Sequence, residues 1–108
     1  MQPMKFFIDT HDACNHTFPA GISPDDFAGF YAKFEEACRA EGVMSLRAHV
    51  GFENGRAFCF TTAPDADAVR RAHERAGLPF DNITEVVTSA PSDIAFVGAR
   101  QTKATVTA

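Results

Sequence analysis

Apolar and polar positions along the 108-residue chain alternate between two periods, and each change of period marks an element. Residues 4–10, "MKFFIDT", form a short β-prone run with charges near its ends and are predicted as the first strand. A polar connection follows over residues 11–22. "SPDDFAGFYAKFEEACRAEG" then carries helix signals: Ser23 as cap, Pro24 as first helical residue, and Asp25 and Asp26 at the positive end of the dipole. Phe27, Phe30, Tyr31, Phe34 and Cys38 recur at helical spacing before Gly42 stops the run.

"VMSLRAHVGF" and "RAFCFTT" flank "ENG", which predicts a hairpin. "DADAVRRAHERAGLP" predicts a second helix, capped by Asp65 and stopped at Gly77 and Pro79, with Val69, Ala72, His73 and Ala76 along one stripe. "NITEVVTS" reads as a fourth strand, and "DIAFVGA" as a short fifth strand or a segment crossing the sheet edge. The order is β-α-β-β-α-β: an α+β, ferredoxin-like fold with a four-stranded antiparallel sheet and both helices on one face. One domain over residues 1–100 and a frayed tail over 101–108 are expected.

Such a sheet has a bare face, and side-chain alternation assigns residues to it. Leu46, Ala48, Val50 and Phe52 are expected to face the helices, and Phe58 and Phe60 with them. That pattern requires a three-residue loop, Glu53-Asn54-Gly55, with Gly55 left-handed, because a two-residue turn would reverse the third strand. His49 then stands opposite Cys59 on the bare face. With Phe6 and Ile8 turned inward on the first strand, Asp9 and His11 join them. Imidazole, thiolate and carboxylate together suit nickel, zinc, cobalt or copper rather than magnesium or calcium.

Asp9, His11, His49 and Cys59 are therefore the expected metal ligands. His16 and Cys14, in the connection after the first strand, are second-tier candidates that could fold over the face. His73 falls on the core stripe of the second helix, which alternation puts on the far side of the sheet from His49. Cys38 ends the apolar stripe of the first helix and is expected to pack.

Composition removes several functions. A net charge of −4 gives no electrostatic footprint for nucleic acid or anionic membrane. No apolar run approaches the ~20 residues of a membrane span, and "MQPMKFFID" lacks signal-peptide features. Three cysteines without a C-x-x-C pair argue against a disulfide framework and for a reduced, cytoplasmic setting. Eleven Phe, one Tyr and no Trp imply a core or interface built from rings without polar handles. No G-x-G-x-x-G or P-loop is present.

"HVGF" before the hairpin, followed by "AFCFTTAPDADAVRRAHERAGLPFDNITEV", resembles a family of small ferredoxin-like nickel-binding or nickel-responsive proteins, long catalogued as a domain of unknown function. The resemblance covers roughly residues 43–87, and more loosely "MKFFID" and the first helix. It implies a cytoplasmic homodimer that binds nickel or a similar ion through His and Cys. The matching positions are His49, Cys59 and His73, so the resemblance favours a residue that alternation sets aside, and His73 stands as a second-tier ligand candidate beside His16 and Cys14.

Three functions fit the residues. The first is a metal-binding protein for storage, sensing or delivery, dimeric through the open sheet face. The second is a dimeric α/β-barrel-type enzyme acting on a small apolar substrate, with His or a bound metal as catalyst. The third is an interaction module whose bare face serves only to dimerise.

Overall fold

The computed structural model describes residues 3–90. Strand β1 (Lys5–Asp12) runs into a single 3-10 turn at Ala13–Asn15, and α1 (Pro24–Ala40), β2 (Met44–Gly51), β3 (Arg56–Ala63), α2 (Ala66–Ala76) and β4 (Asn82–Val86) follow. The sheet is four-stranded and antiparallel in the order β2-β3-β1-β4, as expected for the ferredoxin-like α+β fold. The fifth-strand segment and the tail lie outside the described residues.

Both helices begin and end where local chemistry places their ends. Ser23 Oγ accepts from the Asp26 N–H at 3.1 Å and Pro24 opens α1. Asp65 Oδ1 accepts from the Ala68 N–H at 2.9 Å, and α2 closes on Gly77 at φ +71°. Phe34, Ala37 and Cys38 of α1 and Ala68, Val69, Ala72 and His73 of α2 are buried. Of these, Phe34, Cys38, Ala68, Val69 and Ala72 form the apolar core with Phe7, Val43 and Ala63 from the sheet side.

The face assignment of β1 and β3 is the reverse of the sequence expectation. Phe7, Asp9 and His11 of β1 and Ala57, Cys59, Thr61 and Ala63 of β3 are buried under the helices. Phe6 and Phe60 lie on the open face and stack at 5.6 Å between centroids. The cause is one residue of loop length. Gly51 pairs with Arg56, so the loop is Phe52–Gly55, four residues rather than three. His49 therefore pairs with Phe58, and Ala48 takes the place opposite Cys59. Leu46 occupies a bulge between Ser45 and Arg47 and is exposed.

Packing explains why this register wins. The helices bring the bulk, through Phe34, Tyr31, Phe27 and His73, so β3 must offer them small side chains. Gly55 is left-handed at φ +68°, as expected, and a Cβ there would stand 3.0 Å from the Ala13 Cβ. The Ala13 N–H donates to the Gly55 carbonyl at 2.8 Å, which ties the end of β1 to the hairpin.

Candidate metal centre

Asp9 and His11 are two residues apart on central strand β1, so their side chains share the helix-facing side. The core stripe of α2 brings His73 down onto them. His11 Nε2 stands 2.7 Å from Asp9 Oδ1, and His73 Nε2 stands 3.1 Å from the same oxygen. The two rings are 5.4 Å apart between centroids. Asp9 is 0% exposed, His73 1% and His11 8%. Among the described residues, these three form the group whose ligand atoms lie within 4.8 Å of one another.

The other nitrogen of each ring is fixed by backbone. His11 Nδ1–H donates to the Pro79 carbonyl at 2.7 Å, and His73 Nδ1–H to the Val69 carbonyl at 2.9 Å. Each Nε2 is thereby turned toward Asp9, the tautomer a metal-ligating imidazole needs. A ring that also donates from Nε2 to the carboxylate must carry a second proton. Without a metal, the Asp9 charge is thus balanced by protons; with one, the same lone pairs are available as ligands.

The electrostatics follow. Burial raises the Asp9 pKa, but the hydrogen bonds and charges of His11 and His73 outweigh it and hold the carboxyl below its usual range. Burial likewise opposes charge on His11. The Asp9 hydrogen bond and charge, with the Pro79 and Thr17 carbonyls, nevertheless raise its pKa. Asp9 Oδ2 is buried without a hydrogen-bond partner among the described residues. An orphaned carboxylate oxygen beside two oriented imidazoles is a donor set that a borderline transition-metal ion satisfies.

Cys59 lies across from Asp9 on β3, with Sγ 4.0 Å from His11 Nε2. Burial first, and then the Asp9 charge and a hydrogen bond to the Asp9 carboxylate, push its thiol far above the ordinary range, so it stays protonated while no cation is near. It borders the centre and is outside the mutually close set. His49 lies on the other face of the sheet, exposed, and is corrected out of this constellation. Cys14 and His16 are exposed beyond the end of β1, where Cys14 takes part in the 3-10 turn. Cys38 packs in the core as expected, its thiol pushed up to about 12 chiefly by burial.

His73 is the residue that alternation set aside and the family resemblance retained. Reversal of β1 and β3 moves Asp9, His11 and Cys59 to its side of the sheet. Its ring is held between Phe34 and Phe80, at centroid distances of 4.5 and 5.0 Å.

Among known proteins, a family described as "Nickel responsive protein SCO4226-like" matches residues 14–86. That span contains His73, Cys59 and His49, and begins after Asp9 and His11. The crystal structure of SCO4226 from Streptomyces coelicolor A3(2) is similar at 32% identity, with a TM-score of 0.68; the match covers 79% of this chain and 99% of that one. No curated protein matches the chain.

Proposed function

Because this chain belongs to the SCO4226-like family of nickel-responsive proteins, we propose that it binds a divalent transition metal, nickel foremost, through Asp9, His11 and His73. The observation that carries this reading is the buried set of three ligand atoms whose imidazole tautomers are already fixed by Pro79 and Val69. Bound there, the metal would supply the positive charge that Asp9 otherwise draws from protons. Zinc, cobalt and copper fit the same donors, and nickel is favoured by the family. The purpose is storage, sensing or delivery. Among the described residues no helix is long and apolar enough to cross a membrane. Three free cysteines suit a reduced, cytoplasmic compartment. A homodimer through the open sheet face would cover Phe6 and Phe60.

The pH dependence has a definite sign. The folded pKa of His11 is raised, so the stability its proton contributes is complete below the ordinary imidazole value and is lost as pH rises through the raised one. The folded pKa of Asp9 is lowered, so its contribution is present above the ordinary carboxylate value and is lost as pH falls through the lowered one. The metal-free protein is therefore most stable between those two limits. Nickel must displace the His11 proton, so its apparent affinity falls about tenfold per pH unit, for each proton displaced, below the raised pKa. Calorimetric titration with nickel between about pH 5 and 8, in buffers of different ionisation enthalpy, should show proton release that grows as pH falls. Nickel uptake without proton release, or no uptake, would contradict this site.

A further inference from the structure

The three proposed ligands meet solvent almost only through His11, which is 8% exposed against 0% for Asp9 and 1% for His73. Its edge lines a cleft of about 460 Å³ that neither Asp9 nor His73 reaches. That is room for roughly fifteen waters at their liquid volume, enough for a divalent ion carrying its inner waters. Phe18, Ile22, Phe27, Phe30 and Leu78 wall the cleft and offer an ion no donor atom. The side-chain nitrogens lining it are those of His16 and His11. The wall is built in advance: Phe27 packs on Phe18 and Phe52 at centroid distances of 6.3 and 5.9 Å.

From the cleft, the ligand atoms still lie behind a ring. His11 Nε2 is turned inward to Asp9 at 2.7 Å, so an ion must pass the edge of the imidazole to meet it. Two loops hold that ring. The segment before β4 places the Pro79 carbonyl 2.7 Å from Nδ1, and the connection after β1 places the Thr17 carbonyl beside the same ring. Asp81 joins the two loops. Thr17 Oγ1–H donates to Asp81 Oδ1 at 2.7 Å, and Asn15 Nδ2–H donates to Asp81 Oδ2 at 3.2 Å. The Asp81 N–H in turn donates to the Thr10 carbonyl at 2.7 Å, which fixes the carboxylate to β1. The ring gives way only as far as these loops part, and the part-buried Thr17–Asp81 bond is the shorter of the two side-chain links between them.

Resting on the metal centre proposed above, we infer that the cleft beside His11 is the port through which a divalent transition-metal ion enters and leaves, with the Thr17–Asp81 hydrogen bond as its latch. A latch closed in the empty and the loaded protein alike is a barrier common to both directions. It therefore changes association and dissociation by one factor and leaves the dissociation constant where it is.

Stopped-flow mixing of the full chain with cobalt(II), read by the d–d absorption of the bound ion, gives the association rate. Capture of released cobalt by excess chelator gives the dissociation rate. Thr17→Val keeps the side chain's shape and removes the latch, so it should speed both rates equally, by about two- to tenfold, the range one hydrogen bond is worth. Ile22→Trp and Ala20→Trp narrow the cleft and should slow both rates, again equally, with affinity unchanged. A dispersed amide NMR spectrum identifies the variants that remain folded, and the latch and cleft variants are read independently. Wild-type rates in Thr17→Val or in a folded Trp variant, or an affinity changed through dissociation alone, would overturn the port and leave the metal centre standing. No cobalt uptake by the wild type would overturn the metal centre and the port with it.

Discussion

Asp9→Asn is expected to lower nickel affinity by at least about 100-fold, the upper end of what loss of a mere supporting partner costs a metal site. The substitution keeps the side chain's shape and removes its charge. In the wild type, that charge faces His11 at 2.7 Å and His73 at 3.1 Å in a site closed to water. Breaking a buried ion pair by removing one partner costs about 3–5 kcal/mol when the other charge remains. Here the His11 imidazole can shed its proton instead, so the loss depends on pH. Metal-free Asp9→Asn should be destabilised by about 3 kcal/mol in mildly acidic buffer, where Asp9 stabilises the protonated His11, and by progressively less as pH rises through the raised His11 pKa. Urea unfolding of the metal-free protein at several pH values measures this. A pH-independent loss would mean that the carboxylate does not balance the His11 charge.

The second large effect separates the two faces of the sheet. His73→Ala removes a proposed ligand and leaves a cavity between Phe34 and Phe80, so nickel binding should vanish and stability should fall by about 2–4 kcal/mol. His73→Gln retains more of the volume and is expected to fold while still losing most of the nickel affinity. His49→Ala changes an exposed strand residue and should alter stability by no more than about 0.5 kcal/mol, with nickel binding unchanged. Calorimetry on these three variants decides between the faces. Retained binding in His73→Gln with loss in His49→Ala would place the site on the open face instead.

The contrast between those residues also shows what the sequence could and could not convey. Helix ends were legible because they depend on local chemistry: Ser23, Pro24, Asp65 and Gly77 act within one turn of where they stand. Element order was legible from the two hydrophobic periods, and the fold class followed from it. The absolute face of β1 and β3 was not, because "FFI" is apolar on both sides and "AFCF" invites the larger ring into the core. The core instead takes its bulk from the helices and asks β3 for Ala57, Cys59 and Ala63. That demand is tertiary, and a four-residue Phe52–Gly55 loop meets it where three residues would not.

The relative parity of β1 and β3 was nevertheless correct, since Asp9 pairs with Cys59 and both reversed together. The constellation therefore keeps Asp9 and His11, loses His49, leaves Cys59 at its border and brings in His73, a second-tier candidate. A buried carboxylate and a buried imidazole on opposite elements were the available signal. Read from a single sequence, Asp9 and His11 looked like solvent-facing residues, because charged side chains are rarely fully buried without partners. Their partner is the histidine on α2, 64 residues from Asp9 in the chain.

The measurement that bears most directly on the metal centre is a nickel-edge anomalous difference map from crystals of the full chain grown with nickel. The expected result is a peak between the Asp9 carboxylate and the Nε2 atoms of His11 and His73, beneath α2. A peak beside His49 on the open face, with none among those three side chains, would contradict it.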